Sequence, residues 1–293
     1  MCPIFLHLRK SYDVKVTIPD WAYLSVFPTG WVGVLPQIWV NEVARPHPRQ
    51  HFVLRHLGLR DWRARLPNGF EVKRIDIALL AQDSMQNLNI VTRWIGNNWR
   101  STQDFLEHGF GFCVLDVAAH ALVSFCVADC ACGDQAEVGI KTNVSYRGRG
   151  FASAVVAATV EHCLAHGYTE IGWHCSSSNA GSIATARKVG FEKERDYVAY
   201  SDQLPSENAT DLSPAEYADW ARHYERFIET KPAYALNAAC ARALAGDDAQ
   251  AIQHLRHILA GGERLGADWL LNHWAFAELK DTPEFRDVVK AFS

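Results

Sequence analysis

The sequence predicts an α/β fold in which a mixed central sheet is followed by a separate helical region. Three observations carry this. Residues 65–201 run in the order strand, helices, three strands, helix, strand, helix, strand. Strict strand–helix alternation, as in a β/α barrel or a doubly wound sheet, is absent. After Ser201 the composition turns alanine-rich and helical.

Taken in order, residues 1–64 alternate short β-rich runs (VKVTI, YLSVF, GWVGVL, HFVLRHL) with Pro and Gly punctuation. They read as a β-rich N-terminal extension, either a small unit of its own or an addition to the next sheet. GFEVKRID then alternates like a strand, and ALLAQDSMQNLNIVTRWIGNNW reads as one helix. Ser101 and Asp104 have the spacing of a helix start, for a short helix ending at Gly109. GFCVLDVA, ALVSFCVADC and QAEVGIKTNV give three strands, the first two joined tightly near His120. A helix over 148–166, the strand EIGWHCSS, a helix over 180–189 stopped by Gly190, and the strand FEKERDYVAYS complete the region 65–202.

The region 203–293 opens on Ser213-Pro214-Ala215-Glu216, a helix start with cap, Pro and returning Glu. Gly246 and Gly261 punctuate the helices that follow. The hairpin ALNAACARALAGDDAQAIQHLRHIL resembles one tetratricopeptide-type unit, although a solenoid needs about three.

Composition bounds the function. The chain has 293 residues, 48% hydrophobic and 21% charged, with net charge −4. That balance argues against a dedicated nucleic-acid binder. No stretch approaches the roughly 20 apolar residues that cross a bilayer, and MCPIFLHLRK lacks the pattern of a secretory leader. A cytoplasmic location is expected, with no membrane partner, and the scattered cysteines suit a reducing compartment. Cys126, Cys130 and Cys132 are spaced to share one face of a strand, where thiols pack well. A zinc site would need a turn-like CxxC and a fourth ligand, so no metal is expected. Six arginines fall within residues 44–65 beside a single acid, Asp61, which reads as a solvated face or as an anionic contact.

The stretch VSYRGRGFASAVVAATVEHC carries the chemistry. Successive backbone N–H groups at a helix start form an anion cradle, reinforced by the helix dipole. Gly148 and Gly150 leave out the Cβ atoms that would hold a diphosphate away, and Arg147 and Arg149 add positive charge. No Walker motif and no dinucleotide fingerprint is present.

Arg147-Gly148-Arg149-Gly150-Phe151-Ala152 resembles the R/Q-x-x-G-x-G/A signature of the GCN5-related N-acetyltransferases. WHCSSSN and ARKVGF resemble that superfamily's later strand and closing helix, and the stretches EVGIKT, YRGRGFA and WHCSSSNAGSIATARKVGF look closest to its zwittermicin-resistance subgroup. The resemblance covers about residues 65–200. It implies a mixed central sheet of the acyl-CoA N-acyltransferase type, acetyl-CoA as cofactor and transfer of the acetyl group to a primary amine. The acceptor it suggests is a small molecule, such as an amino-bearing antibiotic.

The same resemblance implies residue roles. Residues 147–152 would hold the pyrophosphate, Ile140 and Thr142 would run beside the pantetheine arm, and Asn179 and Ser182 would adjoin the cofactor, with helix capping as their other reading. Glu137 would act as base through a water, or else be a salt-bridge partner. Backbone N–H groups near Ile140 would receive the oxyanion. Ala186 stands where many relatives have an acidic tyrosine, which leaves Tyr197, Tyr200 or solvent to protonate the thiolate. Trp94, Trp99, Asp104 and Glu107 are candidates for the amine-binding wall, and the tryptophans read equally as core. Two alternatives stay open: a protein amine as acceptor, docked by the C-terminal helices, or an acyl-CoA-binding interaction protein without turnover.

Overall fold

The computed structural model describes residues 45–292 apart from 207, 263 and 264. The strands expected at VKVTI, YLSVF and GWVGVL lie outside the described residues. Two compact units divide between Ser201 and Asp202.

The first unit is built on a seven-stranded mixed sheet. Its strands are β1 (Arg45–Leu54), β2 (Phe70–Arg74), β3 (Gly111–Asp116), β4 (Ala121–Cys132), β5 (Gln135–Thr142), β6 (Glu170–Ser176) and β7 (Phe191–Ser201). They lie in the order β2-β3-β4-β5-β6-β1-β7. Residues 45–54 therefore belong to the sheet, with β1 inserted antiparallel between β6 and β7. Pro46 and Pro48 in β1 precede the first β6 pairing, at Arg49, so the missing N–H groups fall outside the β1–β6 ladder.

The helices of this unit are α1 (Ile77–Leu80), α2 (Leu88–Asn98), α3 (Thr102–His108), α4 (Phe151–Ala165) and α5 (Ala180–Val189). The single helix expected from ALLAQDSMQNLNIVTRWIGNNW is two, α1 and α2. Asn87 takes a left-handed φ of 64°, and Gln86 bridges to Ala121, with its N–H donating to the His120 carbonyl. Helix α4 begins at Phe151 rather than 148 because Gly148 and Gly150 have φ values of 75° and 85°, outside helical geometry.

Helix α4 is almost wholly buried, with Val155, Val156, Ala157 and Val160 at 0% exposure among Phe52, Ala128, Val138 and Trp173 on one sheet face. Helices α2 and α3 cover part of the other face, where Val91, Ile95 and Phe105 meet Phe125 and Val127.

Strand β4 carries a β-bulge at Asp129, between Ala128 and Cys130. Cys126 pairs with Ile140 and Cys130 with Glu137, an odd separation on β5 that puts the two cysteines on opposite faces. The shared face expected for Cys126, Cys130 and Cys132 is thereby corrected: the extra residue breaks the alternation.

The second unit contains α6 (Pro214–Glu225), α7 (Tyr234–Leu244), α8 (Asp248–Ala260), α9 (Ala267–Asn272) and α10 (Pro283–Ala291). The Ser213–Glu216 capping box forms with Pro214 behind it. Ala235, Ala239 and Ala243 of α7 let α8 approach closely, and Leu255, Phe276 and Phe285 fill the core. Arg242 donates to both carboxylate oxygens of Glu225 at 2.7 Å, and His254 joins the same carboxylate at 3.0 Å. These contacts tie α6, α7 and α8 together. Among the described residues no helix is long and apolar enough to cross a membrane.

Candidate active site

Strands β5 and β6 pair in parallel only from Gln135–Glu170 to Glu137–Gly172. Beyond that point β5 keeps β4 on one side as far as Thr142, and no described strand pairs its other edge. The divergence opens a slot whose β5 edge includes Ile140 and Thr142. The chain then turns through Val144–Tyr146, where the Asn143 carboxamide accepts from the Ser145 amide at 3.1 Å, and enters the glycine loop.

In that loop the Arg147 amide is already bonded to the Val144 carbonyl, and the first bond of α4 runs from Ala154 N–H to Gly150 O. The intervening amides, Gly148 through Ser153, reach no acceptor among the described residues. A Cβ placed on Gly148 or Gly150 would meet open space. The donor set fits a diphosphate, because consecutive amides at a helix N-terminus converge on anionic oxygens.

The two arginines are more engaged with the protein than their charge suggests. Arg147 donates from Nε to the Thr142 carbonyl at 3.3 Å, bracing the turn. The Arg149 guanidinium lies 5.0, 5.1 and 5.5 Å from the ring centres of Phe70, Phe151 and Tyr146. Phe151 is buried and Ala152 half-buried. Asn179 caps α5, its Oδ1 accepting from the Ser182 amide at 2.9 Å, and the Ser182 hydroxyl accepts from Trp173 Nε1 at 3.0 Å. The capping reading is therefore realised for Asn179, while the Ser182 hydroxyl serves Trp173.

A polar cluster sits where the slot begins. Glu137 Oε1 lies 3.4 Å from Nε2 of both His51 and His174. Gly172 makes room for it, since a Cβ there would collide with the carboxylate. The two imidazoles, paired across β1 and β6, stack with centroids 4.1 Å apart and planes 17° apart. Behind them, Glu194 holds His51 Nδ1 at 2.8 Å, Tyr197 OH meets His174 Nδ1 at 2.8 Å, and Arg49 Nε donates to the Tyr197 oxygen at 3.0 Å. With the Tyr197 hydroxyl donating to Nδ1, His174 carries its proton on Nε2, facing Glu137; this tautomer follows from the network.

Burial would raise the Glu137 carboxyl, but hydrogen bonds from His174 and His51 outweigh it and hold the pKa below the ordinary value. Burial pulls His51 down, yet the bond to Glu137 and its charge, then Glu194, raise the imidazole overall. Burial lowers His174. The cluster therefore contains an ionised carboxylate with a cationic His51 and a neutral His174 over part of the acidic-to-neutral range.

His51, Glu137 and His174 each offer one metal-ligand atom, all within 4.8 Å of one another. An ion held at about 2.0–2.1 Å lies close to the plane of each ligating imidazole. Stacked rings share no such point, so one would have to leave the stack to bind an ion. As it stands, the arrangement suits proton exchange.

Asp129 lies on the same face as Glu137. Its Oδ1 accepts from Trp94 Nε1 at 2.6 Å, and its carboxylate lies against Gly139, where a Cβ would collide with it. Burial pushes the Asp129 carboxyl up, the Trp94 bond opposes, and the charge of Glu137 adds to the rise, giving a pKa of about 7.

Of the expected site residues, the structure thus brings together Glu137, Tyr197 and Trp94. Tyr200 is three residues from Tyr197 on a regular stretch of β7 and faces the other side of the sheet. Trp99 donates to the Ala128 carbonyl at 2.9 Å and packs edge-on against Phe105 as a core residue. Asp104 serves the start of α3, its amide bonded to Ser101 Oγ. A cavity of about 410 Å³ beside α3 is lined by Arg74, Asp76, Gln103 and Glu107 among others, but by neither Asp104 nor the polar cluster. Ala186 is fully buried and Tyr197 is committed to Arg49 and His174. His51, Asp129 and His174 are not among the residues expected from the sequence, and Arg49 is expected only as one of the six arginines of residues 44–65.

Comparison with known proteins defines the class. A family model described as GNAT acetyltransferase matches residues 30–200. The chain belongs to this acetyltransferase family, whose members use acetyl-CoA as cosubstrate. In particular, it is 33% identical over 135 residues to the uncharacterized N-acetyltransferase YdfB of Bacillus subtilis (strain 168), covering 46% of this chain and 49% of that protein. The chain thus spans about half the length of this curated relative. A GCN5-related N-acetyltransferase-like protein from Streptococcus suis 89/1591 shares the fold, with a TM-score of 0.51 at 23% identity, over 61% of this chain and 70% of that one.

Proposed function

We propose that the first unit transfers an acetyl group from acetyl-CoA to a primary amine of a small molecule, by direct attack of the amine on the thioester. The observation that carries this is the run of uncommitted amides from Gly148 to Ser153 beside the slot between β5 and β6. When bound, acetyl-CoA supplies an acetyl thioester open to a nucleophile.

In this reading the loop 147–152 holds the pyrophosphate through its main chain. Gly148 and Gly150 allow close approach, and Arg147 braces the turn. Ile140 and Thr142 line the slot, and N–H groups of β5 near Ile140 receive the carbonyl oxygen as it becomes negative. Glu137 supplies the fixed negative charge that draws in a protonated amine. Its bonds to His51 and His174 offer a path by which protons leave the site. Because its pKa is held low, Glu137 is a weak base at neutral pH, and its contribution is electrostatic. An amino-bearing antibiotic, the acceptor suggested by similarity to the zwittermicin-resistance subgroup, belongs in the first panel tested. The α7–α8 hairpin, read as tetratricopeptide-like, is the surface a protein acceptor would use.

Titration calorimetry with acetyl-CoA and a free-thiol assay across a panel of amines test the reading. Micromolar binding with thiol release supports it. Tight binding without thiol release from any amine points to an acyl-CoA-binding protein without turnover.

A further inference from the structure

Glu137 leaves a question open, since the attacking amine must lose a proton to a group that can accept it near neutral pH. The residue placed for this is Asp129, on β4 rather than β5.

Asp129 stands at the β4 bulge, two residues after Val127, whose partner is Gly139, and its side chain lies on the same face as Gly139. That face also carries Glu137, His51 and Trp94. One oxygen is fixed by Trp94 Nε1 at 2.6 Å. The group rests against the main chain at Gly139, and that close approach is open only because residue 139 has no Cβ. Gly139 directly precedes Ile140 on the stretch of β5 whose outer edge no described strand covers. The Asp129 carboxylate therefore lies over the β5 main chain one residue before Ile140. Two separate features converge on this placement: a glycine and an indole donor.

We propose that Asp129 is the acceptor-binding carboxylate and the proton acceptor of the reaction, which makes the acceptor a cationic primary amine rather than an alcohol or an uncharged arylamine. This rests on the acetyltransferase reading of the same site. The ammonium group gives one proton to the Asp129 carboxylate. The freed lone pair then forms the C–N bond to the thioester carbon as the C–S bond breaks. The second nitrogen proton passes to the departing thiolate, and Asp129 returns its proton to water. The products are the amide, the free thiol and the regenerated carboxylate. Such a step needs no tyrosine at position 186. A carboxyl pushed up to about 7 is matched to this work, and burial, the main cause of the shift, comes from the same packing that places it.

The experiment measures binding first. Calorimetry of wild-type protein compares short primary alkylammonium ions, including a diamine, with the alcohols of the same shape, in the presence and absence of CoA. The expected result is at least tenfold tighter binding of the ammonium ions, lost in Asp129→Asn. Equal binding of amines and alcohols, or undiminished ammonium binding by Asp129→Asn, overturns the proposal. CoA affinity is measured on the same samples, so failure of the cofactor assignment is seen separately.

For the amine that binds best, turnover is followed from pH 5 to 9. In the wild type kcat should rise through an apparent pKa near 7. Asp129→Asn should lower kcat by about 100-fold and abolish that limb. Trp94→Phe, which removes the opposing hydrogen bond, should move the limb to higher pH. A limb unmoved in Trp94→Phe and retained in Asp129→Asn would assign the proton transfer to another group.

Discussion

Residues 147–153 take their geometry from seven consecutive positions, whereas the polar cluster around Glu137 draws on β1, β4, β5, β6 and β7, from Arg49 to Tyr197. The loop works through main-chain amides and omitted Cβ atoms. The cluster works through side chains that bias one another's protonation. As proposed, the first is a binding device whose parts are local, and the second is a chemical device assembled by topology. Disturbing one should leave the other's measurable behaviour intact.

The largest effect should come from Gly150→Leu. Residue 150 has a φ of 85°, so a side chain there costs about 1–2 kcal/mol of strain and projects into the space a diphosphate would fill. Loss of about two charge-assisted hydrogen bonds corresponds to roughly 100-fold weaker CoA binding. Calorimetry should show this while the pH dependence of stability stays as in the wild type. A variant that binds CoA normally would break the division.

Glu137→Gln is the reciprocal test. Turnover should fall by about 10- to 100-fold with CoA affinity unchanged. Stability carries a second signature. Glu137 has a lowered native pKa, so its contribution is fully present above 4.5 and is lost as pH falls further. His51 has a raised native pKa, so its contribution is fully present below 6.5 and is lost as pH rises further. Denaturant unfolding should therefore show the greatest loss from Glu137→Gln between pH 4.5 and 6.5.

Asp129 behaves oppositely. Its raised native pKa means that between about pH 4 and 7 the folded chain holds a proton the unfolded chain has released. Wild-type stability should fall across that window, and Asp129→Asn should remove the fall. After allowance for partial exposure, the variant should be more stable by about 1–3 kcal/mol at pH 8. Tyr197→Phe should have the smallest effect, removing one hydrogen bond to His174. A loss of about 1 kcal/mol, or roughly fivefold in turnover, is expected in steady-state kinetics.

The same division explains what the sequence discloses. The proposed diphosphate cradle is legible in RGRGFA because backbone conformation and missing side chains are properties of adjacent residues. Glu137 was found through its place in a familiar strand, but its partners were not. His51 reaches it because β1, more than 80 residues upstream in the chain, inserts between β6 and β7, and no local pattern announces that insertion. Arg49 was counted within an arginine-rich stretch, although it pairs with Tyr197. Asp129 is not announced by ALVSFCVADC, because the room left for its carboxylate comes from Gly139 on another strand and its hydrogen bond from Trp94 on a helix. For Trp99 the core reading that the sequence left open is the one its hydrogen bond and packing support, because an indole serves a core as readily as a binding wall.

Backbone amide chemical shifts, recorded on 15N-labelled protein as CoA is added, test the central claim most directly. The account predicts that the largest changes fall on Gly148 through Ser153, with a second group along Val138–Thr142, and that saturation follows a single affinity. Saturable CoA binding that leaves those amides unmoved, or no binding at all, would contradict it.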